Sequence, residues 1–478
     1  MTATDSLSRR RVIQALATLA SSGLAGCSGG GDPEPGNQAF ASGAPGATPV
    51  EPSPAPMPAP TPPRAPSPPA PPPVPSPPPP PLPPKPTVLP AWRTSMKANT
   101  WVAVSASRME HVDPAADPLI NPTPGDAPWR GASGQYGVID AWGSAVWDDE
   151  YMDLWVPIGG GHNNYGGNEP YKISLADATP AWRMMRKPTG AIGNEILLRD
   201  GQEDSGIYAD GRPRSVHSYN NVAFAPGVGP VIVRLGSTFT GSGNSNKVFR
   251  VHPTSGETTL VFDFGAGVSL GFPAGFPSGT GVGSPVNAAA CYDSRRNRIY
   301  TVGTGRNTWL AYCNPASGPG LWTGGHVGSD PFYAPDGYHG VIYVPTIDRL
   351  LMLHNNPVRA SLIHPDTGVV LYDLDLSGSF DSSLETSTMY GFTWCAELGC
   401  VLIWNQRGNT TQISMLTPQG NGLTSWVRGT LAVSSENTVV PPAMSNNGTF
   451  GLFGYSSALR GCYLITSTKE PVHFFAIQ

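Results

Sequence analysis

From about Ala91 onward the chain alternates short apolar runs with clusters of glycine, proline, asparagine and aspartate, and helical spacing of apolar positions is essentially absent. That rhythm predicts strands joined by turns, and so an all-β fold. The runs Leu154–Ile158, Val231–Leu235, Arg298–Val302, Leu350–Leu353 and Val401–Trp404 each follow a polar turn, and each turn follows an aromatic residue: Trp147, Phe224, Tyr292, Tyr343 and Trp394. A looser sixth copy has its turn region at Ala443–Gly448, then Thr449–Tyr455 and Cys462–Thr466. A second turn keeps the same phase: His252-Pro253-Thr254-Ser255-Gly256, Asn314-Pro315-Ala316-Ser317-Gly318, His364-Pro365-Asp366-Thr367-Gly368 and Thr417-Pro418-Gln419-Gly420. Proline presets φ in such a turn and glycine closes it with positive φ. The copies recur every ~50 to 60 residues, the span of one four-stranded propeller blade with insertions. Each unit reads as strands A to D, and six units fit between Gly137 and Gln478, or seven if a degenerate blade is counted. Asn99–Ser105, with Trp101, has the character of a D strand without a blade, suited to close the ring against the last unit and remove exposed edges.

The sharpest copy is the first. Strand Leu154–Ile158 runs into Gly159, Gly160 and Gly161, then His162, Asn163, Asn164, Tyr165, Gly166, Gly167, Asn168 and Glu169, followed by Tyr171–Leu175, a polar turn at Ala176–Thr179 and Trp182. The glycine-rich end of strand B, Tyr171 in strand C and Trp182 in strand D resemble a kelch repeat, the β-propeller type also found in the central domain of galactose oxidase. The Gly159–Tyr171 pattern also resembles one in exported bacterial kelch-like proteins. The resemblance implies a kelch-like β-propeller of six or seven four-stranded blades. It does not imply one activity, because kelch folds serve enzymes, glycan binders and scaffolds alike.

Composition adjusts the picture at the N-terminus. Of 54 prolines in 478 residues, half fall between Asp32 and Pro90. That stretch predicts a disordered, polyproline-rich tether with a reach on the order of 150 Å at ~3.1 Å per residue. Ahead of it, Ser8-Arg9-Arg10-Arg11-Val12-Ile13-Gln14 resembles a twin-arginine export signal, and Leu24-Ala25-Gly26-Cys27 resembles a bacterial lipobox. The intervening apolar run is too short and too rich in small residues to span a membrane. The expected organisation is a signal peptide over 1–26, a lipidated Cys27 and linker over 27–90, and a propeller domain over 91–478. Ser28 after the cysteine, in place of aspartate, favours the outer membrane of a bacterial envelope by analogy. A formal net charge of −5 and the lack of a basic tract argue against nucleic acid as a partner. The expected state is a monomer without a cofactor. Cys395 and Cys400 flank a short turn and are a candidate disulfide. Cys291, Cys313 and Cys462 read as small core residues.

Topology sorts the chemistry. In a propeller, the starts of A strands and the B–C loops share one face, and the A–B and C–D turns share the other. His162 and His354 fall in B–C loops, His217 and His339 at A-strand starts, and His326 in a D–A connection, whereas His252 and His364 fall on the opposite face. Arg306, Arg359 and Arg407 occupy B–C loops, and Arg212 and Arg214 precede His217. Tyr165, Tyr219, Tyr338, Tyr390, Asn163, Asn168 and Asn220 belong to the same face, which the insertions Pro188–Val216 and Gly265–Val286 would wall. Arginine pairs with carboxylate or sulfate, and tyrosine stacks on sugar rings. The expected ligand is therefore an acidic poly- or oligosaccharide, contacted by Tyr165, Asn168, Arg306, Tyr338, His339, His354, Arg359, Tyr390 and Arg407. Individually each residue also has a structural reading: His162 bonding a loop carbonyl, His217 and Tyr219 packing, single arginines solvated.

Two alternatives share this fold. β-Propeller polysaccharide lyases, such as those acting on ulvan, use histidine and tyrosine for proton transfer and arginine to neutralise a uronate. His162, His217, Tyr219 and Arg214 have the chemistry for those catalytic roles, with either histidine as base and Tyr219 as acid. The third reading is a protein-binding scaffold. A metal held by His162, His217, His339 and His354 is a further option, though the histidines lack a tight ligand spacing and no metal ligand is assigned. Copper oxidase chemistry lacks a match to the cysteine–tyrosine pair and C-terminal histidine that it needs.

Overall fold

The computed structural model describes residues 84–121, 129–192, 195–196, 206–239, 245–264, 288–303, 307–315, 322–329, 339–354, 359–380, 389–404, 411–444 and 447–477. The signal, Cys27 and nearly all of the proline-rich stretch lie outside them.

The alternating runs form six antiparallel sheets arranged as the blades of a propeller. In blade 1 strands A to D are Val146–Asp148, Asp153–Val156, Tyr171–Ser174 and Trp182–Met184. Blade 2 begins with Val222–Ala225 and continues through Gly229–Thr238, Ser245–Val251 and Thr258–Asp263, and Val216–His217 also pairs with its B strand. Blade 3 is Ala288–Asp293, Arg298–Gly303, Asn307–Cys313 and Trp322–Ser329, and blade 4 is Gly340–Val344, Arg349–Leu353, Ala360–Ile363 and Val370–Leu371. Blade 5 is Gly391–Cys395, Cys400–Trp404, Ile413–Gln419 and Ser425–Leu431, with Asp375–Gly378 added in parallel to its outer strand. Each innermost strand packs against the next, and that of blade 6 returns to blade 1. The ring is therefore closed at six.

Blade 6 shows how closure is achieved. Its inner three strands are Phe453–Ser456, Gly461–Leu464 and His473–Ala476, and its outer strand is Trp101–Ala103 from the other end of the domain. Trp101 pairs with Phe475 and meets Trp404 edge-on at 5.1 Å, while its indole Nε1 donates to the Thr411 carbonyl at 2.9 Å. The short helix Ala91–Thr94 adds a clamp: the buried Arg93 guanidinium donates to the carbonyls of Leu459, Arg460 and Ile477.

The repeated turns behave as their sequence requires. Of the recurring prolyl motifs, His252–Gly256 and His364–Gly368 fall between strands C and D, Thr417–Gln419 instead ends strand C of blade 5 with Gly420 just beyond it, and Ala316–Gly318 lie outside the described residues. Gly256, Gly368 and Gly420 close three of them with positive φ. In two, the histidine before proline caps its own turn, His252 Nδ1 accepting from Thr254 N and His364 Nδ1 from Asp366 N. Those two far-face histidines therefore have local jobs.

Two expectations are corrected. His326 belongs to strand D of blade 3 and not to the connection beyond it. Cys395 and Cys400 are directly paired across the hairpin but remain buried free thiols, as are Cys291, Cys313 and Cys462. The Gly265–Val286 insertion lies outside the described residues, and the Pro188–Val216 insertion is described in part.

Because Trp101 is 3 % exposed and ties both ends of the domain together, Trp101→Ala is expected to destabilise the fold by roughly 3–5 kcal/mol. Equilibrium denaturation in urea measures this, and a loss under about 1 kcal/mol would contradict the closing role given to this strand.

Candidate functional site

The glycine-rich B–C loop of blade 1 is built by close approach. A side chain on Gly159 would collide with Val138 and one on Gly160 with the Ser215 hydroxyl and the Tyr165 carbonyl. Ser215, wholly buried, shares its one hydroxyl proton between the carbonyls of Gly159 (2.6 Å) and Tyr165 (2.5 Å) and accepts from Gly161 N at 2.7 Å. One hydroxyl thus pins both ends of the turn and lifts His162, Asn163 and Asn164 above it. Nothing in the sequence marks Ser215 for this role.

Beneath the loop, Tyr165 and Tyr171 both donate to Glu169 Oε1, at 2.6 and 2.5 Å, and Gln135 Nε2 bonds the Tyr171 hydroxyl. Burial raises the Glu169 carboxyl to about 7, against the two tyrosine hydroxyls that lower it. Asn168 bonds Thr189 through both ends of its amide and also the Pro213 carbonyl. Tyr165 and Asn168 therefore support the loop from below and have no surface to offer a ligand.

Above, the structure does gather His162, His217 and Tyr219. The two imidazoles lie 5.8 Å apart between centroids. Tyr219 Oη stands 3.3 Å from His217 Nδ1, and His217 Nε2 stands 3.3 Å from Asn164 Oδ1. The tautomer that satisfies both has Nε2–H donating to Asn164 and Nδ1 accepting from Tyr219. Asn164 Nδ2 continues the series to Ser133 Oγ. Trp142 covers His217 at 4.5 Å, and the Tyr219 ring meets Phe450 edge-on at 5.9 Å. Burial, then the His162 charge, lowers His217 to about 3, so the ring is neutral at ordinary pH.

Trp142 (φ 51°), His162 (37°), Asn163 (63°), Tyr219 (45°) and Phe450 (42°) are all left-handed. Asparagine tolerates that region, but for the ringed residues it costs on the order of 1–3 kcal/mol each and persists only where packing enforces it. Phe450, Asn220 and Gly451 also line the central channel, a cavity of about 330 Å³ bounded by inner strands of all six blades. The cluster thus stands at the channel's rim.

The other expected residues divide. Arg214 is 1 % exposed and its Nε donates to the Ile207 carbonyl, which makes it an internal brace for the segment before His217. His339, His354 and Tyr390 form a second, buried group: Tyr390 donates to the His354 carbonyl and His354 Nε2 bonds Ser361 Oγ at 2.7 Å. Burial lowers His339 to about 4 and His354 to about 3. Asn220 connects this group to the rim by donating to the His339 carbonyl at 2.9 Å. Arg359 is partly exposed and faces Asp373 at 3.5 Å. Arg306, Tyr338 and Arg407 lie outside the described residues. Among the described residues no group of histidine, cysteine and carboxylate is arranged to hold a metal ion.

Unfolding exposes an imidazole with an ordinary value of 6.5, so the unfolded chain takes up a proton that folded His217 refuses until about pH 3. Its contribution is complete above pH 6.5 and is lost as the pH falls from there towards 3. The His217 ring resonances are accordingly expected to stay flat between about pH 8 and 5 by NMR, whereas a midpoint near 6.5 would mean an open, solvated ring.

No family model matches the chain, and neither does any curated protein. Among solved structures it is similar to a protein of Bacteroides thetaiotaomicron VPI-5482 described as of unknown function (10 % identity, 79 % of this chain and 76 % of that one, TM-score 0.41). It is also similar to an auxiliary nutrient binding protein of Bacteroides ovatus (12 %, 71 % and 69 %, TM-score 0.39). A third is an alpha-L-arabinanase of Penicillium chrysogenum complexed with arabinobiose (9 %, 80 % and 98 %, TM-score 0.38). At these values the likenesses are recorded without bearing on ligand or activity.

Proposed function

We propose that this chain is an envelope-anchored propeller of the kelch kind that binds an extracytoplasmic carbohydrate at the rim formed by His162, Asn163 and Asn164. The observation that carries the reading is the convergence of five left-handed, non-glycine residues on that rim, with rings and amides side by side. Strained backbone retained at one place is a mark of a site whose geometry is held for a ligand. Aromatic faces beside fixed amide and imidazole groups suit a polyhydroxylated ring better than an ion. The partly exposed Arg359, between strands B and C of blade 4, extends the proposal to acidic glycans. Anchoring through Cys27 and the proline-rich tether would hold the domain outside the membrane.

A lyase at the same place is the second reading, favoured by the Tyr219–His217–Asn164 hydrogen-bond series. Folded His217 resists protonation until about pH 3, so in this reading His162 beside it takes the proton and Tyr219 supplies one to a leaving oxygen.

On a glycan panel, the full chain is expected to bind, and His162→Ala and Asn164→Ala to weaken binding on the order of tenfold each, the effect of losing one or two hydrogen bonds. Binding that survives both substitutions would remove the rim from the proposal. Growth of unsaturated-product absorbance on polyuronates, abolished in Tyr219→Phe, would select the lyase; unchanged absorbance across uronate and sulfated substrates would eliminate it.

A further inference from the structure

The opposite end of the channel carries a different chemistry. The aromatic residues that marked the repeat, Trp147, Phe224, Tyr292, Tyr343 and Trp394, together with Tyr455 of blade 6, all line the cavity. Each sits one residue before the end of its A strand, so one ring from every blade surrounds the mouth nearest the A–B turns. Among the described residues no charged side chain lines the channel. Its polar side chains already have partners: Asn220 donates to the His339 carbonyl, Ser144 Oγ accepts from Gly451 N, and Thr393 Oγ1 accepts from Tyr455 N. A polyol would find few groups to replace its water.

The polar tips of the rings point away to acceptors in the turns. Trp147 Nε1 donates to Asp149, Tyr292 to Asn297, Tyr343 to Asp348 and Tyr455 to Glu397. Donation to a carboxylate leaves the ring richer in electrons. The two sides of the mouth then diverge. Asp348 is neutralised by Arg296 at 2.6 Å and Arg295 at 3.0 Å. Asp149 and Glu397 form no ion pair with any described residue; Asp149 is held instead by Ser456, Ser457 and Ala458 N. In the consecutive blades 6 and 1, Tyr455 and Trp147 thus have a carboxylate without an ion pair behind them, Trp147 resting with one face on Tyr463 at 5.6 Å, and Trp394 of blade 5 lines the same arc.

We propose that this arc is an aromatic cage for a small methylated ammonium ion. Tryptophan and tyrosine faces attract such a cation through the ring quadrupole, its methyl groups need no hydrogen-bond acceptor, and the carboxylates behind the rings add a field of the right sign.

Tetramethylammonium, with tert-butanol as a neutral probe of the same shape and glucose as a polyol, is titrated into the full chain by calorimetry. Tetramethylammonium is expected to saturate at least about tenfold more tightly than either, because only it has the cation–π attraction. Trp394→Leu is expected to weaken it on the order of tenfold. Glu397→Gln keeps an acceptor for Tyr455 on an exposed side chain and removes only the charge, so it leaves the fold intact and is expected to weaken the cation a few-fold while leaving tert-butanol unchanged. Equal binding of cation and alcohol, preference for glucose, no saturable binding of the cation, or full affinity in Glu397→Gln would each overturn the proposal.

Discussion

The arrangement depends on one set of backbone hydrogen bonds, those joining Trp101–Ala103 to His473–Ala476. Without them strand C of blade 6 would be a free edge, and the blade would lack an outer layer over Phe475 and Trp404. A ring of sheets holds its channel diameter only while every blade is pressed by two neighbours. Fixing the last blade therefore fixes the spacing of all the inner strands, and with it the positions of side chains that reach the axis from different blades.

That fixed spacing makes the two mouths of the channel chemically distinct. At one rim the backbone is forced into left-handed conformations, and the groups presented are imidazole and amide. At the other, a ring from every blade lines the mouth, and three of the rings donate to carboxylates in the A–B turns. The first is built from loops pinned by a single hydroxyl, Ser215. The second is built from the repeat itself, one residue per blade. The loop-built end is the one whose residues a sequence difference would alter without disturbing the sheets.

Periodicity carried much of this. The recurring prolyl turns and the aromatic residue before each A–B turn established the strand phase, and the phase located His162, His217 and Tyr219 on a common face. It also led to Trp101 as a closing strand, because a lone apolar run with no blade of its own has only the ring to join. Depth is what phase does not encode. Arg214, Tyr165 and Asn168 lie on the expected side but beneath the surface, where the Ile207 carbonyl, Glu169, and Thr189 with the Pro213 carbonyl respectively take up their polar atoms. An arginine braced internally and one facing solvent look identical in a sequence. Trp142 and Ser215 had no motif to announce them, since their importance comes from what folds against them. The aromatic marks were legible as register and silent as a lining, because facing the axis is a property of the closed ring and not of any one blade.

Pairing the two ends has a kinetic corollary. Arg93 donates to a carbonyl 384 residues further along the chain, so bringing those segments together carries a loop-closure entropy of roughly 5 kcal/mol if the chain between is unstructured. Prior formation of the other five blades shortens the effective loop to the gap across the ring. During synthesis the closing strand emerges before the five other blades and its partner after them, so a nearly complete arc stands ready before its two ends can zip together.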